Sequence, residues 1–302
     1  VRSRFIFFMR RAIVILFVIL FADAKPLEID DILTKRNSYK IDFVISYINI
    51  EKEQGLLAPM EYQTRSGDIV TIPTFLGDER INQDYFNYAI NFKYGLTNRL
   101  ELFSLLNFYT STIYYTKSSI FGSKNDNDFN SWVLGFNYQL KREDSKPALL
   151  LGGMLTAIEH LKFSVDGTTE RDSLAFKSYK LSTTTYYSVD PLVYLLNLSY
   201  YVNRKKSLDN IYIDNSDIFI ISPQLYFAIN PYSSINFGLK YSHFGKNRLN
   251  GKVVSNSGSD IGFIFGSSYE ISNSLLFNLT ALHSKQLNIS KDSISIGFSY
   301  SF

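Results

Sequence analysis

The feature that most constrains this chain is a strict two-residue alternation held over ten or more residues at a time. In the last segment Ile294, Ile296, Phe298, Tyr300 and Phe302 alternate with Ser293, Ser295, Gly297, Ser299 and Ser301. In 85–95 the faces are Phe86, Tyr88, Ile90, Phe92 and Tyr94 against Asn87, Ala89, Asn91 and Lys93, and 131–140 and 234–244 repeat the pattern. Successive side chains of a strand point to opposite faces, so each segment reads as a strand with one apolar face and one polar or small face. A soluble β-sandwich alternates too, but its strands average about five or six residues. Apolar faces of ten residues match instead the roughly 9–11 tilted residues a strand needs to cross a bilayer.

Counting such segments gives twelve strands, at 39–50, 84–95, 99–113, 129–140, 147–160, 174–188, 191–203, 216–229, 234–245, 259–270, 274–286 and 291–302. The connections alternate in length. Those at 95–98, 141–146, 190–191, 230–231 and 271–273 are tight, whereas 51–83, 114–128, 161–173, 204–215 and 246–258 are long and polar. Tyr94, Trp132, Tyr138, Tyr200, Tyr241, Tyr269 and Tyr300 fall near strand ends, where aromatic girdles mark the membrane interfaces. The expected fold is all-β, a single up-and-down antiparallel transmembrane β-barrel of about twelve strands, with short periplasmic turns and long outer loops. It spans 25–302, with 51–83 as its long outer loop.

Residues 1–24 read as a secretory signal peptide. Met9-Arg10-Arg11 supplies the basic region, Ala12 to Phe21 the apolar run, and Ala22-Asp23-Ala24 a small-x-small cleavage site. Ten apolar residues rise only about 15 Å as a helix, half the hydrocarbon thickness, which argues against an anchor. The leader carries Arg2, Arg4, Arg10, Arg11 and Asp23, so of 31 Lys+Arg and 28 Asp+Glu it leaves 27 of each. The basic balance therefore belongs to the leader, and nucleic acid is not an expected partner.

The absence of cysteine excludes disulfide staples, cysteine-ligated metal and a thiol nucleophile. The three histidines, His160, His243 and His283, have no metal-ligand spacing, and no nucleophile stands with a base and an orienter. His283-Ser284 does not reproduce the His, Ser and Asn arrangement of a barrel-wall phospholipase. No helix follows Gly152-Gly153 to make it a phosphate loop. The chain is thus expected to be no enzyme and to need no cofactor.

Two resemblances add to this reading. Gly297 to Phe302 resembles the closing signature of bacterial outer-membrane barrels, which implies that Phe298, Tyr300 and Phe302 form the signal for the barrel-insertion machinery of a Gram-negative cell. Tyr94-Gly95-Leu96-Thr97-Asn98-Arg99-Leu100-Glu101-Leu102 resembles the strand-turn-strand motif of the "MetA-pathway of phenol degradation" outer-membrane family. Asn98 stands where that pattern usually has Asp, and both residues suit a tight turn. The resemblance implies an outer-membrane channel or transporter.

With the aromatic faces on lipid, the lumen candidates are Asp42, Asn91, Lys93, Glu101, Gln139 and Lys240. Lys93 and Glu101 flank the 95–98 turn and are expected to pair across it, either as a charged constriction or as an ion pair that plugs the mouth. Phe103, Leu105, Val133, Val193 and Leu195 share this inner face, and a part-apolar lumen suits a small hydrophobic or aromatic solute. Twelve strands fall between filled eight-stranded barrels and wide porins, so a narrow passive channel is expected. The alternative is a non-conducting structural or surface-interaction barrel whose loops do the work. Roughly ten residues between the leader and the first strand leave no plug domain. Outer-membrane lipid is the expected surroundings, with Lys246, Arg248 and Lys252 available to lipopolysaccharide.

Overall fold

The computed structural model describes residues 33–52, 60–63, 69–72, 80–117, 120–165, 168–208, 211–286 and 289–302; the leader 1–24 and most of 51–83 lie outside them. Among the described residues, twelve long antiparallel strands close into a ring. They are β1 Tyr39–Lys52, β2 Arg80–Gly95, β3 Leu100–Lys117, β4 Ile120–Lys141, β5 Ala148–Val165, β6 Ser178–Val189, β7 Leu192–Asn203, β8 Ile218–Asn230, β9 Ser233–Phe244, β10 Gly258–Ser272, β11 Leu275–Gln286 and β12 Ile289–Ser301. Order around the ring is order along the chain, and β1 pairs with β12 to close it. All twelve expected strands are present.

The barrel is inverted relative to a soluble protein. Phe43, Phe92, Leu102, Phe136, Leu181, Phe219, Phe237, Phe263 and Phe298 point outward and are exposed all round the wall, while Ser46, Gln83, Asn87, Asn107 and Glu101 point inward and are buried. A contiguous apolar belt of this extent is a lipid-facing surface. Inside, the polar groups satisfy one another. Asn107 Nδ2 donates to Ser131 Oγ at 3.1 Å, Gln83 Nε2 to Ser111 Oγ at 2.8 Å, and the Ser46 and Ser295 hydroxyls meet at 2.7 Å across the β1–β12 seam.

The Tyr94 to Leu102 motif folds as a tight hairpin between β2 and β3. Thr97 organises it, accepting at Oγ1 from the amides of Arg99 at 3.1 Å and Leu100 at 3.0 Å. A threonine hydroxyl that bonds nearby amides replaces the ladder bonds a turn gives up.

Three expectations change. The stretches 114–128 and 161–173 are not loops in the main: β3 and β4 run on to Lys117 and from Ile120, and β5 continues to Val165 against Thr168–Ala175. Polar residues on both faces hide the alternation there, because a strand that stands above the membrane needs no apolar face. The extension also places Trp132 in mid-strand rather than near a strand end, with its indole N–H donating to Ser104 Oγ at 2.9 Å. Finally, 204–215 and 246–258 build one small sheet, Lys206–Leu208, Ile211–Asp214, Asn247–Leu249 and Lys252–Ser255, at the loop end of the barrel.

Candidate functional site

The lumen is unevenly filled. Against β1 to β4 it is packed: Val44, Ala89, Leu105 and Val133 form one buried cluster, and Ile48, Ile50, Tyr85 and Tyr109 a second one towards the loop end. Tyr85 and Tyr109 stack at 5.3 Å, Asn130 Nδ2 donates to Tyr85 Oη at 3.0 Å, and Tyr109 Oη donates to Asp126 at 2.8 Å. Beside this packing a cavity of about 340 Å³ is bordered by strands from β2 round to β12, lined by Asn91, Lys93, Lys180, Gln224, Asn236 and Lys240 among others, with Phe103, Met154, Leu195, Ile264 and Leu282 as apolar patches.

Small residues make part of this space. Gly135 and Gly152 lie on adjacent strands, and a Cβ at Gly152 would stand 2.5 Å from Ser182 Oγ, while one at Gly135 would overlap the Phe103 ring.

At the turn end, residues 33–38 cross the mouth. Leu33 packs on Ala148, Leu150, Tyr186 and Val193 of β5 to β7, while Tyr39 starts β1 on the opposite side of the twelve-strand ring. Glu101 holds this segment: its Oε2 accepts from the Thr34 amide at 2.8 Å and the Thr34 hydroxyl at 2.6 Å, and its Oε1 accepts from Asn137 Nδ2 at 2.9 Å. Asn37, at φ 59°, turns the chain into β1, and its amide donates to the Gly95 carbonyl at 2.7 Å. Asn is among the few residues that occupy the left-handed region readily. Gly95 has to be glycine because a Cβ there would overlap the carbonyl oxygens of Lys35 and Thr34.

The expected Lys93–Glu101 pair does not form. Lys93 pairs instead with Asp42 on the neighbouring strand at 2.9 Å, and Glu101 is taken by Thr34 and Asn137. Of the six lumen candidates, Asn91, Lys93 and Lys240 line the cavity. Asp42 is buried behind Lys93, Glu101 anchors the crossing segment, and Gln139 Nε2 reaches Tyr186 Oη at 3.5 Å. Lys180 was not among the candidates, although the alternation Ser178, Lys180, Ser182, Thr184 already put it on the polar face.

At the loop end, Lys206 from the small sheet reaches back to Glu159 of β5 with its Nζ 2.8 Å from Oε2, both side chains buried. The histidines acquire cross-strand neighbours that the sequence did not show: His160 lies 3.6 Å from Asp128, and His283 2.6 Å from Asp292 on the outward face. Among the described residues no three His, Asp or Glu side chains gather as a metal site.

No protein-family model and no curated protein matches this sequence. Solved structures do match. The outer membrane channel from Pseudomonas putida F1 aligns with TM-score 0.60 at 12% identity, covering 87% of this chain and 95% of that one. The transport unit of the autotransporter AIDA-I from Escherichia coli aligns with TM-score 0.61 at 9% identity, covering 87% and 90%. The CymD monoaromatic hydrocarbon channel aligns with TM-score 0.50 at 10% identity, covering 88% of each chain. The fold is that of a Gram-negative outer-membrane β-barrel. At these identities the likeness is one of architecture, and side-chain roles rest on the lumen of this chain alone.

Proposed function

We propose that this barrel is a narrow passive channel for a small, part-hydrophobic solute. The observation that carries the proposal is the cavity itself: a closed wall encloses about 340 Å³ lined by convergent polar groups and apolar patches. Two structural neighbours are outer-membrane channels, one of them for monoaromatic hydrocarbons, and the Tyr94 to Leu102 resemblance points the same way. In this reading the chain is exported on leader 1–24, sits in outer-membrane lipid, and offers Phe298, Tyr300 and Phe302 to the insertion machinery. The basic loop at Lys246, Arg248 and Lys252 faces lipopolysaccharide. No catalytic step is assigned to it.

A second reading has its own observation. Both ends of the cavity are narrowed, by Leu33 and Thr34 at the turn end and by the Ile48, Tyr85 and Tyr109 cluster at the loop end. A barrel held permanently in that state is a non-conducting scaffold for its loops.

Planar-bilayer recordings of the refolded mature barrel separate the two. The channel reading expects small discrete openings, and expects Gly95→Ala combined with Glu101→Gln to raise conductance or open probability several-fold. That pair displaces the Lys35 carbonyl and removes the charge that accepts two bonds from Thr34, and a bond to an ionised carboxylate contributes roughly 1.5–3 kcal/mol. A variant that inserts as well as the parent and stays silent establishes the scaffold reading.

A further inference from the structure

The lipid-facing belt is not even. Two neighbouring ladder rows cross its outward face, one running Phe136, Gly153, Leu181, Tyr200 and Phe219 from β4 to β8, the other Leu151, Thr183 and Leu198 from β5 to β7. Phe136 lays its ring over Gly153, where a Cβ would stand 2.6 Å from it, and Thr183 stands between two leucines where the belt elsewhere carries large apolar side chains. The result is an apolar groove of about 570 Å³ between Phe136, Leu151, Leu181, Leu198, Tyr200 and Phe219. Leu181 is 67% exposed, more than any other large hydrophobic side chain among the described residues.

Towards the loop end the same two strands change chemistry. The outward positions read Lys177, Tyr179, Leu181 and Thr183 along β6 and its entry, and Leu198, Tyr200, Val202 and Arg204 along β7 and its exit. Tyr179 pairs with Val202, and the Arg204 amide donates to the Lys177 carbonyl at 2.8 Å, so the two basic residues are neighbours. They lie four residues beyond Leu181 and Tyr200, about 13 Å along the strands and about 10 Å in height at the usual barrel tilt. With the groove in hydrocarbon, that height is the headgroup layer. The Arg204 guanidinium sits 5.0 Å over the Tyr179 ring, and among the described residues neither Arg204 nor Lys177 has an ion pair. The carboxylates of the same stretches are engaged: Asp172 accepts from the Ser173 amide at 2.7 Å, Asp214 lies 3.9 Å from Lys205, and Asp217 accepts from Tyr200 Oη at 2.8 Å and the Asn203 amide at 3.0 Å. Tyr179 Oη donates to the Phe176 carbonyl at 2.8 Å, in a turn where Phe176, at φ 57°, leaves its ring 54% exposed next to Lys177. A bulky residue in the left-handed region is an outlier, and such backbone gathers at binding sites.

We infer that this face is a docking site for one anionic, phosphate-bearing lipid of the leaflet at the loop end, its phosphate held by Lys177 and Arg204 and one acyl chain laid in the groove below. From the loop end downward the column runs cation, aromatic ring, apolar groove, which is the order of an anionic amphiphile from head to tail. Arg204 offers a planar fork that matches phosphate, already parked on Tyr179 at the interface. A second copy of the barrel is the poorer occupant, because a two-fold contact would set Lys177 and Arg204 against their own likeness. The inference rests on the lipid-facing wall and not on what the lumen conducts.

The test uses the full refolded barrel in detergent micelles and native mass spectrometry, with diphosphoryl lipid A and phosphatidylethanolamine as probes. The unaltered barrel is expected to retain one lipid A, and to retain it roughly ten- to thirtyfold better than phosphatidylethanolamine, the combined effect of two basic residues at a membrane surface. Lys177→Gln combined with Arg204→Gln is expected to bring lipid A down to the level of phosphatidylethanolamine, and Lys177→Arg to keep the preference. Thr183→Leu fills the groove and is expected to weaken retention of both lipids while leaving the cations in place. Equal retention of the two lipids by the unaltered barrel overturns the inference, and needs no variant to fold. A barrel dimer in place of a lipid adduct overturns it too, as does a preference for lipid A that survives the paired Gln variant.

Discussion

Replacing both Tyr300 and Phe302 with Ser is expected to abolish barrel assembly, so that the protein reaches the periplasm but yields no heat-modifiable, membrane-inserted band. The reason lies at the seam. Every other neighbouring pair of strands is also consecutive along the chain, whereas β1 and β12 pair across almost its whole length, with Ser46 meeting Ser295. Loop-closure entropy for about 250 residues disfavours that pairing by on the order of 5 kcal/mol. A ring clasp opposes it. Tyr39 stacks on Tyr94 at 4.9 Å and on Phe302 at 5.7 Å, and Tyr300 stacks on Phe302 at 5.8 Å. Tyr39 and Phe302 also exchange both backbone bonds, at 2.9 and 3.0 Å.

The double substitution removes two of these stacks, each worth about 0.5–1.5 kcal/mol beyond area, and places two hydroxyls on a lipid-facing belt. Tyr300→Phe with Phe302→Tyr keeps the rings and is expected to assemble normally. Normal heat-modifiable protein from the double Ser variant would show that neither the clasp nor the proposed insertion signal is needed.

Lys206→Met is expected to destabilise the folded barrel by about 3–5 kcal/mol, read as a lower midpoint in denaturant unfolding from detergent micelles. Lys206 Nζ lies 2.8 Å from Glu159 Oε2, and both side chains are buried, so removing the lysine strands a carboxylate in the wall. Glu159 Oε1 is buried without a hydrogen-bond partner among the described residues, so the Lys206 contact carries much of what holds the carboxylate. The paired change, Glu159→Leu with Lys206→Met, removes both charges and is expected to recover most of the loss, because an apolar pair avoids the desolvation cost. A single variant as stable as the parent would mean that the small sheet at the loop end sits away from β5 in solution. Because Lys206 ties that sheet to the wall, the same single variant is also expected to make the loop end more open to protease.

How much of this was legible in the residues differs by level. The alternation Ile294 to Phe302 settled strand and face at once, since a period of two leaves only a choice of side, whereas lipid contact also needed the ten-residue apolar faces, the aromatics near strand ends and the alternating connection lengths. The twelve strands followed from the same rule, and so did the inward placement of Lys93 and Lys240, while Lys180, on the same polar face by the same rule, was missed. What the alternation does not carry is height around the ring. Lys93 and Glu101 look adjacent because only a turn separates them, yet Lys93 sits opposite Phe103 in the ladder and beside Lys40 on β1, within reach of Asp42. Their partners are set by the tilt and stagger of strands, which no local pattern encodes.

The same distinction governs the cavity and its ends. Nothing near Leu33 or Thr34 announces that they cross to Val193 and Glu101, because those contacts join residues far apart in sequence. Nor does anything near Lys206 announce Glu159. The sequence by itself determined that the chain is a barrel, which residues face lipid and which face inward, through the period of each segment together with its length and the spacing between segments. Only the tertiary structure decided that Tyr85 and its neighbours pack one part of the lumen while Lys93, Lys180 and Lys240, from three separate strands, border one open cavity. Which side chains meet across a closed ring depends on all twelve strands being in register together.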